Sequence, residues 1–165
     1  MKKMPYLFVS LGVLTLDQWT KWMVEIHLPH HTSSVLVPGL LNVTHVRNTG
    51  VAFGLFATTG AGSAGMLTLL GLLALAAVGI YFWHAPSRDR ILLVALGLVV
   101  GGAVGNLIDR ISSGAVTDFV DVYLGPHHWP SFNVADSAIS VGIALMLLDS
   151  FRSRKEPETA VPEEA

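Results

Sequence analysis

The sequence predicts an all-α membrane core of four transmembrane helices, with a small extracytoplasmic β-rich part and both termini cytoplasmic. Three observations carry this. Hydrophobic residues make up 52% of the chain and charged residues 13%, against about a quarter charged in ordinary soluble domains. Four long apolar stretches recur, separated by polar connections. Lys and Arg gather on one side of the topology those stretches define.

The first stretch, "MPYLFVSLGVLTLDQWTKWMVEI" (4–26), carries Asp17, Lys21 and Glu25 in its second half. With "MKK" before it, it looks like a secretory signal, but no small-x-small cleavage site follows, so it reads as a retained span. The second, "MLTLLGLLALAAVGIYFW" (66–83), has no charge; the third is "ILLVALGLVVGGAVGNLI" (91–108). The fourth, "VADSAISVGIALMLL" (134–148), is short and borrows flanking residues. At about 1.5 Å per residue each roughly crosses a hydrocarbon layer of about 30 Å. A soluble bundle would need polar outward faces, which the second and third stretches lack.

Residues 27–65 then form a long external segment, 84–90 a tight internal turn and 109–133 a second external connection. In "SSVLVPGLLNVTHV" the β-branched residues around Pro38 and Gly39 predict short strands about a turn, placed at the membrane interface because bare strand edges are not tolerated in hydrocarbon. Residues 1–150 read as one integral-membrane unit and 151–165 as a polar cytoplasmic tail. With the N-terminus inside, seven of the ten Lys and Arg are cytoplasmic; Lys21, Arg47 and Arg110 are the exceptions. Trp19, Trp22, Trp83 and Trp129 fall near span ends, where indole is favoured.

Polar side chains in spans are expensive and by default face a protein interior, a watery cavity or a functional site. Here Asp17, Lys21, Asn106, Asp109, Arg110, Asn133 and Asp136 all fall near the external ends of the first, third and fourth spans. Asp17 and Lys21, four apart, share a helix face as a structural ion pair or as a recognition element for a partner. Gly97, Gly101 and Gly105 let another helix or a substrate helix approach. Asn106 and Asp109 point to one side, either as helix-end solvation or as orienting groups, with Arg110 reaching the interface. Asn133 and Asp136 fit an N-terminal capping arrangement. Asp118 of "VTDFVDV" reaches the same depth on the adjacent connection. If that segment is extended, Asp118 and Val120 point one way and Phe119 and Asp121 the other. Two carboxylates in one site hold a proton between them, giving an acid and a base around one water, as hydrolysis of a peptide bond by water requires.

Other chemistries fare worse. The absence of cysteine removes thiol nucleophiles and disulfides, and a formal charge of −2 gives no reason to expect a nucleic-acid partner. There is no H-E-x-x-H zinc motif and no G-x-S-x-G elbow for Ser131, Ser137 or Ser140. A proton-coupled carrier would need a polar relay in the inner half of the bundle, and that half has almost none; a tetraspan assembly factor is a third reading.

Five blocks, "DQWTK" (17–21), "RNTGVAFG" (47–54), "GGAVGNLIDR" (101–110), "VTDFVDV" (116–122) and "FNVADSAI" (132–139), occur in an order that resembles the lipoprotein signal peptidase (signal peptidase II) family of membrane aspartyl proteases. The resemblance implies four transmembrane helices with a β-cradle, set within 27–65, and a multi-pass protein of the bacterial cytoplasmic (inner) membrane with its site near the extracytoplasmic face. It implies a catalytic pair at Asp118 and Asp136, with Asn48, Asn106, Asp109, Arg110 and Asn133 around the site and Asp17 and Lys21 in the first polar block. Asn48 and Gly50 of the "RNTGVAFG" loop either shape a structural turn or handle substrate, with Gly54 permitting movement. The implied substrates are prolipoprotein signal peptides bearing diacylglycerol on the lipobox cysteine, cut just before it. Membrane phospholipid and cyclic peptide inhibitors such as globomycin are implied contacts; neither metal nor organic cofactor is, and one chain suffices. An Arg110–Asp109 ion pair is expected beside the dyad.

Overall fold

The computed structural model describes residues 3–50 and 61–153. Gly54 and nearly all of the 151–165 tail lie outside them. In chain order the elements are α1 (Met4–His27), β1 (Ser33–Val37), β2 (Leu41–Asn48), α2 (Ala61–His84), α3 (Arg90–Ser113), β3 (Val116–Leu124), β4 (His127–Phe132) and α4 (Val134–Ser153). Segments Gly65–His84, Arg90–Ser113 and Val134–Arg152 are long and apolar enough to cross a membrane. α1 matches α2 and α3 in length at 24 residues but carries Asp17, Lys21 and Glu25 in its second half.

α3 is the central helix, packed against α1, α2 and α4. Its small residues make that possible. A Cβ on Gly97 would sit 2.9 Å from the Tyr6 carbonyl oxygen and one on Gly101 2.6 Å from that of Ser10; one on Gly105 would overlap the Asp17 carboxylate. The four-residue glycine period is therefore the α1 packing seam, on which α1 and α3 run parallel. On another face, Gly102 abuts the Ala135 carbonyl, and a Cβ on Gly142 would lie 2.6 Å from Val99 Cγ2, which makes α4 antiparallel to α3. Leu93 and Leu96 are fully buried in this core.

The helix ends are specified locally. Asp89 Oδ1 accepts the Leu92 N–H at 3.0 Å, capping α3. Gly114, at φ 74°, ends that helix in the left-handed conformation, its N–H donating to Arg110 O at 3.0 Å. No breaker precedes Gly114, so α3 runs past the expected end at 108 and carries Asp109 and Arg110 as helical residues rather than connection residues. Lys3 Nζ donates to the Phe82 carbonyl oxygen at 2.8 Å and to that of Trp83, placing a cation at the C-terminal end of the α2 dipole.

The four strands form one antiparallel sheet in the order β1-β2-β3-β4. This extends the expected cradle: 27–65 supplies only β1 and β2, and the 109–133 connection supplies β3 and β4. The strands of that connection turn at Gly125, whose φ of 62° suits glycine. The sheet meets the bundle where α3 ends and α4 begins, the end of the molecule at which the polar residues gather.

Candidate active site

The start of α4 is built as a capping box. Asn133 Oδ1 accepts the Asp136 N–H at 2.9 Å, and Asp136 Oδ2 accepts the Asn133 N–H at 3.3 Å. The intervening Ala135 N–H donates to Asp17 Oδ1 at 2.9 Å, so α1 closes the cap from outside. These bonds fix the Asp136 carboxyl, whose Oδ1 accepts from Asn106 Nδ2 at 2.7 Å.

β3 brings in Asp118, 3% exposed, opposite Val46 in the register with β2. Its Oδ1 accepts from Asn133 Nδ2 at 2.8 Å and its Oδ2 from Asn48 Nδ2 at 3.0 Å. Burial pushes the Asp118 carboxyl up to about 6; the bond from Asn48 pulls against this, and the negative charge of Asp136 adds to it. Three asparagines thus hold the two acids by neutral donors, and Asn133 serves both.

Beneath them lies a charged platform. Lys21 Nζ is 2.8 Å from both Asp17 Oδ2 and Asp109 Oδ2 and donates to Asn106 Oδ1 at 3.0 Å. Asp109 also accepts from Gln18 Nε2 at 2.9 Å and from the Thr117 N–H at 3.3 Å. Among the described residues no buried side-chain nitrogen or oxygen lacks a partner. The expected Arg110–Asp109 pair is absent, because Asp109 turns inward to Lys21. Arg110 instead donates from Nη1 to the Asn106 carbonyl at 3.3 Å and from Nη2 to the Gly50 carbonyl at 3.5 Å. Asn106 and Asp109 do share a side, as their spacing predicts, but both are buried rather than solvated.

Asp118 and Asp136 line one cavity of about 1040 Å³, with Asn48, Gly50, Asn106 and Arg110 around them. Asp17, Lys21 and Asp109 are not in its wall. Asn133 lies behind the acids, fully buried. Ile139 and Val141 carry the wall down α4, and His128 and Trp129 carry it out along β4. Ser137 donates its hydroxyl to the Asn133 carbonyl at 2.9 Å, the bond of a helix-start serine rather than of a nucleophile. Among the described residues no three His, Asp or Glu side chains converge as metal ligands would.

Sequence reasoning missed Gln18, Thr117 and the Asp121–His128 pair. Gln18 sits inside the quoted "DQWTK" block and was signalled only by being a third polar residue there. Thr117 needed the fold: its hydroxyl donates to Glu25 Oε1 at 2.7 Å across 92 positions of chain.

A profile of the family described as Signal peptidase (SPase) II matches residues 9–152. A lipoprotein signal peptidase of Syntrophus aciditrophicus (strain SB) is 42% identical over 159 residues, covering 94% of this chain and 99% of that protein. One from Geobacter metallireducens is 44% identical over 147 residues, covering 89% and 90%. A solved structure described as a bacterial membrane enzyme at 2.3 Å superposes with a TM-score of 0.84 at 27% identity, covering 95% of this chain and 93% of that one. A second, described as such an enzyme at 1.9 Å, gives 0.80 at 27% identity, with 90% and 93% covered. A four-helix membrane core capped by a small open sheet, with these relatives, defines a multi-pass membrane hydrolase, an aspartic endopeptidase acting on prolipoprotein signal peptides. The chain belongs to the signal peptidase II family.

Proposed function

We propose that Asp118 and Asp136 are the catalytic dyad, and that it cleaves diacylglyceryl-modified prolipoproteins immediately before the lipid-modified cysteine. The observation that carries this is the pairing of the two acids in one cavity wall, each fixed at both oxygens by neutral donors. One carboxylate takes a proton from a water held between the pair while the protonated partner hydrogen-bonds to the scissile carbonyl. Attack gives a tetrahedral centre, and the proton returns to the departing amine as the C–N bond breaks. Asn48, Asn106 and Asn133 orient the acids without adding charge. Lys21 with Asp17 and Asp109 braces the α1–α3–α4 junction, and Arg110 and Gly50 line the substrate's path.

In this reading α1 also spans the membrane, both termini are cytoplasmic, residues 1–150 are the working unit and 151–165 a polar tail. The cavity opens at the extracytoplasmic face, phospholipid surrounds the helices, cyclic peptides such as globomycin occupy the cavity, and one chain suffices. The test is cleavage of a purified diacylglyceryl prolipoprotein at matched membrane levels. Asp118→Asn and Asp136→Asn should each lower kcat by about 10²-fold or more, as loss of a general acid or base does. Undiminished cleavage in both rejects the dyad.

A further inference from the structure

The residue before Asp118 is bonded on every side. Thr117, 2% exposed, follows the alternation of β3, so its side chain turns away from the cavity that Asp118 lines. Each of its polar groups reaches a different part of the helical core. The N–H donates to Asp109 Oδ2 of α3 at 3.3 Å, the carbonyl accepts from Asn133 Nδ2 at the cap of α4 at 3.4 Å, and the hydroxyl donates to Glu25 Oε1 of α1 at 2.7 Å. Arg47 of β2 lies opposite it in the register. Two of the three bonds lead straight back to the site. Asp109 is paired with Lys21, and the Asn133 amide that reaches the Thr117 carbonyl also donates to Asp118 Oδ1 at 2.8 Å. The third, to Glu25 near the outer end of α1, touches nothing in the cavity.

We propose that Thr117 is a positioning residue for Asp118, and that its hydroxyl bond to Glu25 is the tether through which α1 sets where the Asp118 carboxyl points. The inference rests on Asp118 belonging to the dyad. Successive side chains of a strand stand on opposite faces, so a rocking of β3 about its own axis swings Thr117 one way and Asp118 the other. Holding the Thr117 hydroxyl therefore limits the swing of the acid. A catalytic group displaced by about 1 Å loses much of its rate. Stability depends on the bond far less, because Glu25 is exposed and water can solvate it once the hydroxyl is gone.

The test is cleavage of a purified diacylglyceryl prolipoprotein at matched membrane levels. Thr117→Val, close in shape but without the hydroxyl, should lower kcat about three- to tenfold, with KM within about twofold and the unfolding temperature near that of wild type. Thr117→Ser keeps the hydroxyl and should recover most of the rate. Glu25→Ala, at an exposed position that tolerates substitution, should match Thr117→Val, and the double variant should be no slower than either single, because both act through one bond. Glu25→Gln still presents an oxygen acceptor and should be faster than Glu25→Ala. Wild-type kcat in both Thr117→Val and Glu25→Ala overturns the tether. So do losses that multiply in the double variant, a Thr117→Ser as slow as Thr117→Val, or a rise in KM alone. Undiminished cleavage by Asp118→Asn, run alongside, would instead overturn the dyad on which the tether rests.

Discussion

Asp118 is held in its charged form at a cost. Its carboxyl titrates at about 6 rather than 3.8, chiefly because burial strips it of water. The fold therefore favours the protonated acid. That contribution to stability is fully present below pH 3.8 and is lost as pH rises through about 6. Asp118→Asn has no proton to lose there, so its stability relative to wild type should improve across this window. At about 1.4 kcal/mol per pH unit the gain is roughly 2–3 kcal/mol between pH 4 and pH 7. The constant cost of mismatched donors from Asn48 and Asn133 drops out of the pH dependence. Thermal unfolding of both proteins in one detergent at a series of pH values checks it; parallel curves would contradict it. The Asn133–Asp136 box was legible in the sequence because a cap is a local motif, its two partners three positions apart. The partners of Asp118 were not, since Asn48 is 70 positions away and reaches it only through the β2–β3 register.

At the scale of elements, the glycines of α3 divide by what a methyl group would meet. A Cβ on Gly102 would overlap the Ala135 carbonyl and lie 2.9 Å from Ile139 Cγ1, whereas one on Gly71 of α2 would make ordinary contact, 3.8 Å from Leu107 Cδ1. Gly102→Ala must push α4 away at the turn that holds Asn133 and Asp136. It should cost about 1–3 kcal/mol and lower kcat as well. Gly71→Ala should be neutral or stabilise by up to about 1 kcal/mol through helix propensity, leaving cleavage unchanged. Unfolding temperatures and cleavage rates measured on the two variants distinguish them. The helices were legible because apolar runs announce themselves; β3 and β4 were not. "VTDFVDV" mixes two acids into its alternation, and "HHWPSF" contains a proline, so both resemble a solvated connection. The two acids of β3 are satisfied in their burial by Asn48, Asn133, Asn42 and His128, all of which arrive from outside that strand. The same physics explains why Asp109 looked like a helix-end residue: its partner Lys21 sits on another helix.

For the whole molecule, the packing directions put four of the Lys and Arg residues and the candidate site at opposite ends. α1 and α3 run parallel along the Gly97–Gly105 seam, and α2 and α4 run against them, so Lys3, Arg88, Arg90 and Arg152 share the end remote from the sheet. The basic residues at the sheet end are all engaged. Lys21 is bound between two carboxylates, Arg47 Nη2 donates to the Ser113 carbonyl at 3.0 Å, and Arg110 donates to Asn106 and Gly50. Those three are explained by structure, so the remaining Lys and Arg speak for orientation without contradiction, and they favour the end of Lys3 and Arg152 as cytoplasmic. With that orientation, the proposed Asp118–Asp136 dyad at the opposite end would lie on the extracytoplasmic side. A reporter active only after export should be inactive when fused after α4 and active when inserted at the β3–β4 turn at Gly125. Export of the reporter fused after α4 would reverse the orientation and with it the side from which substrate must enter.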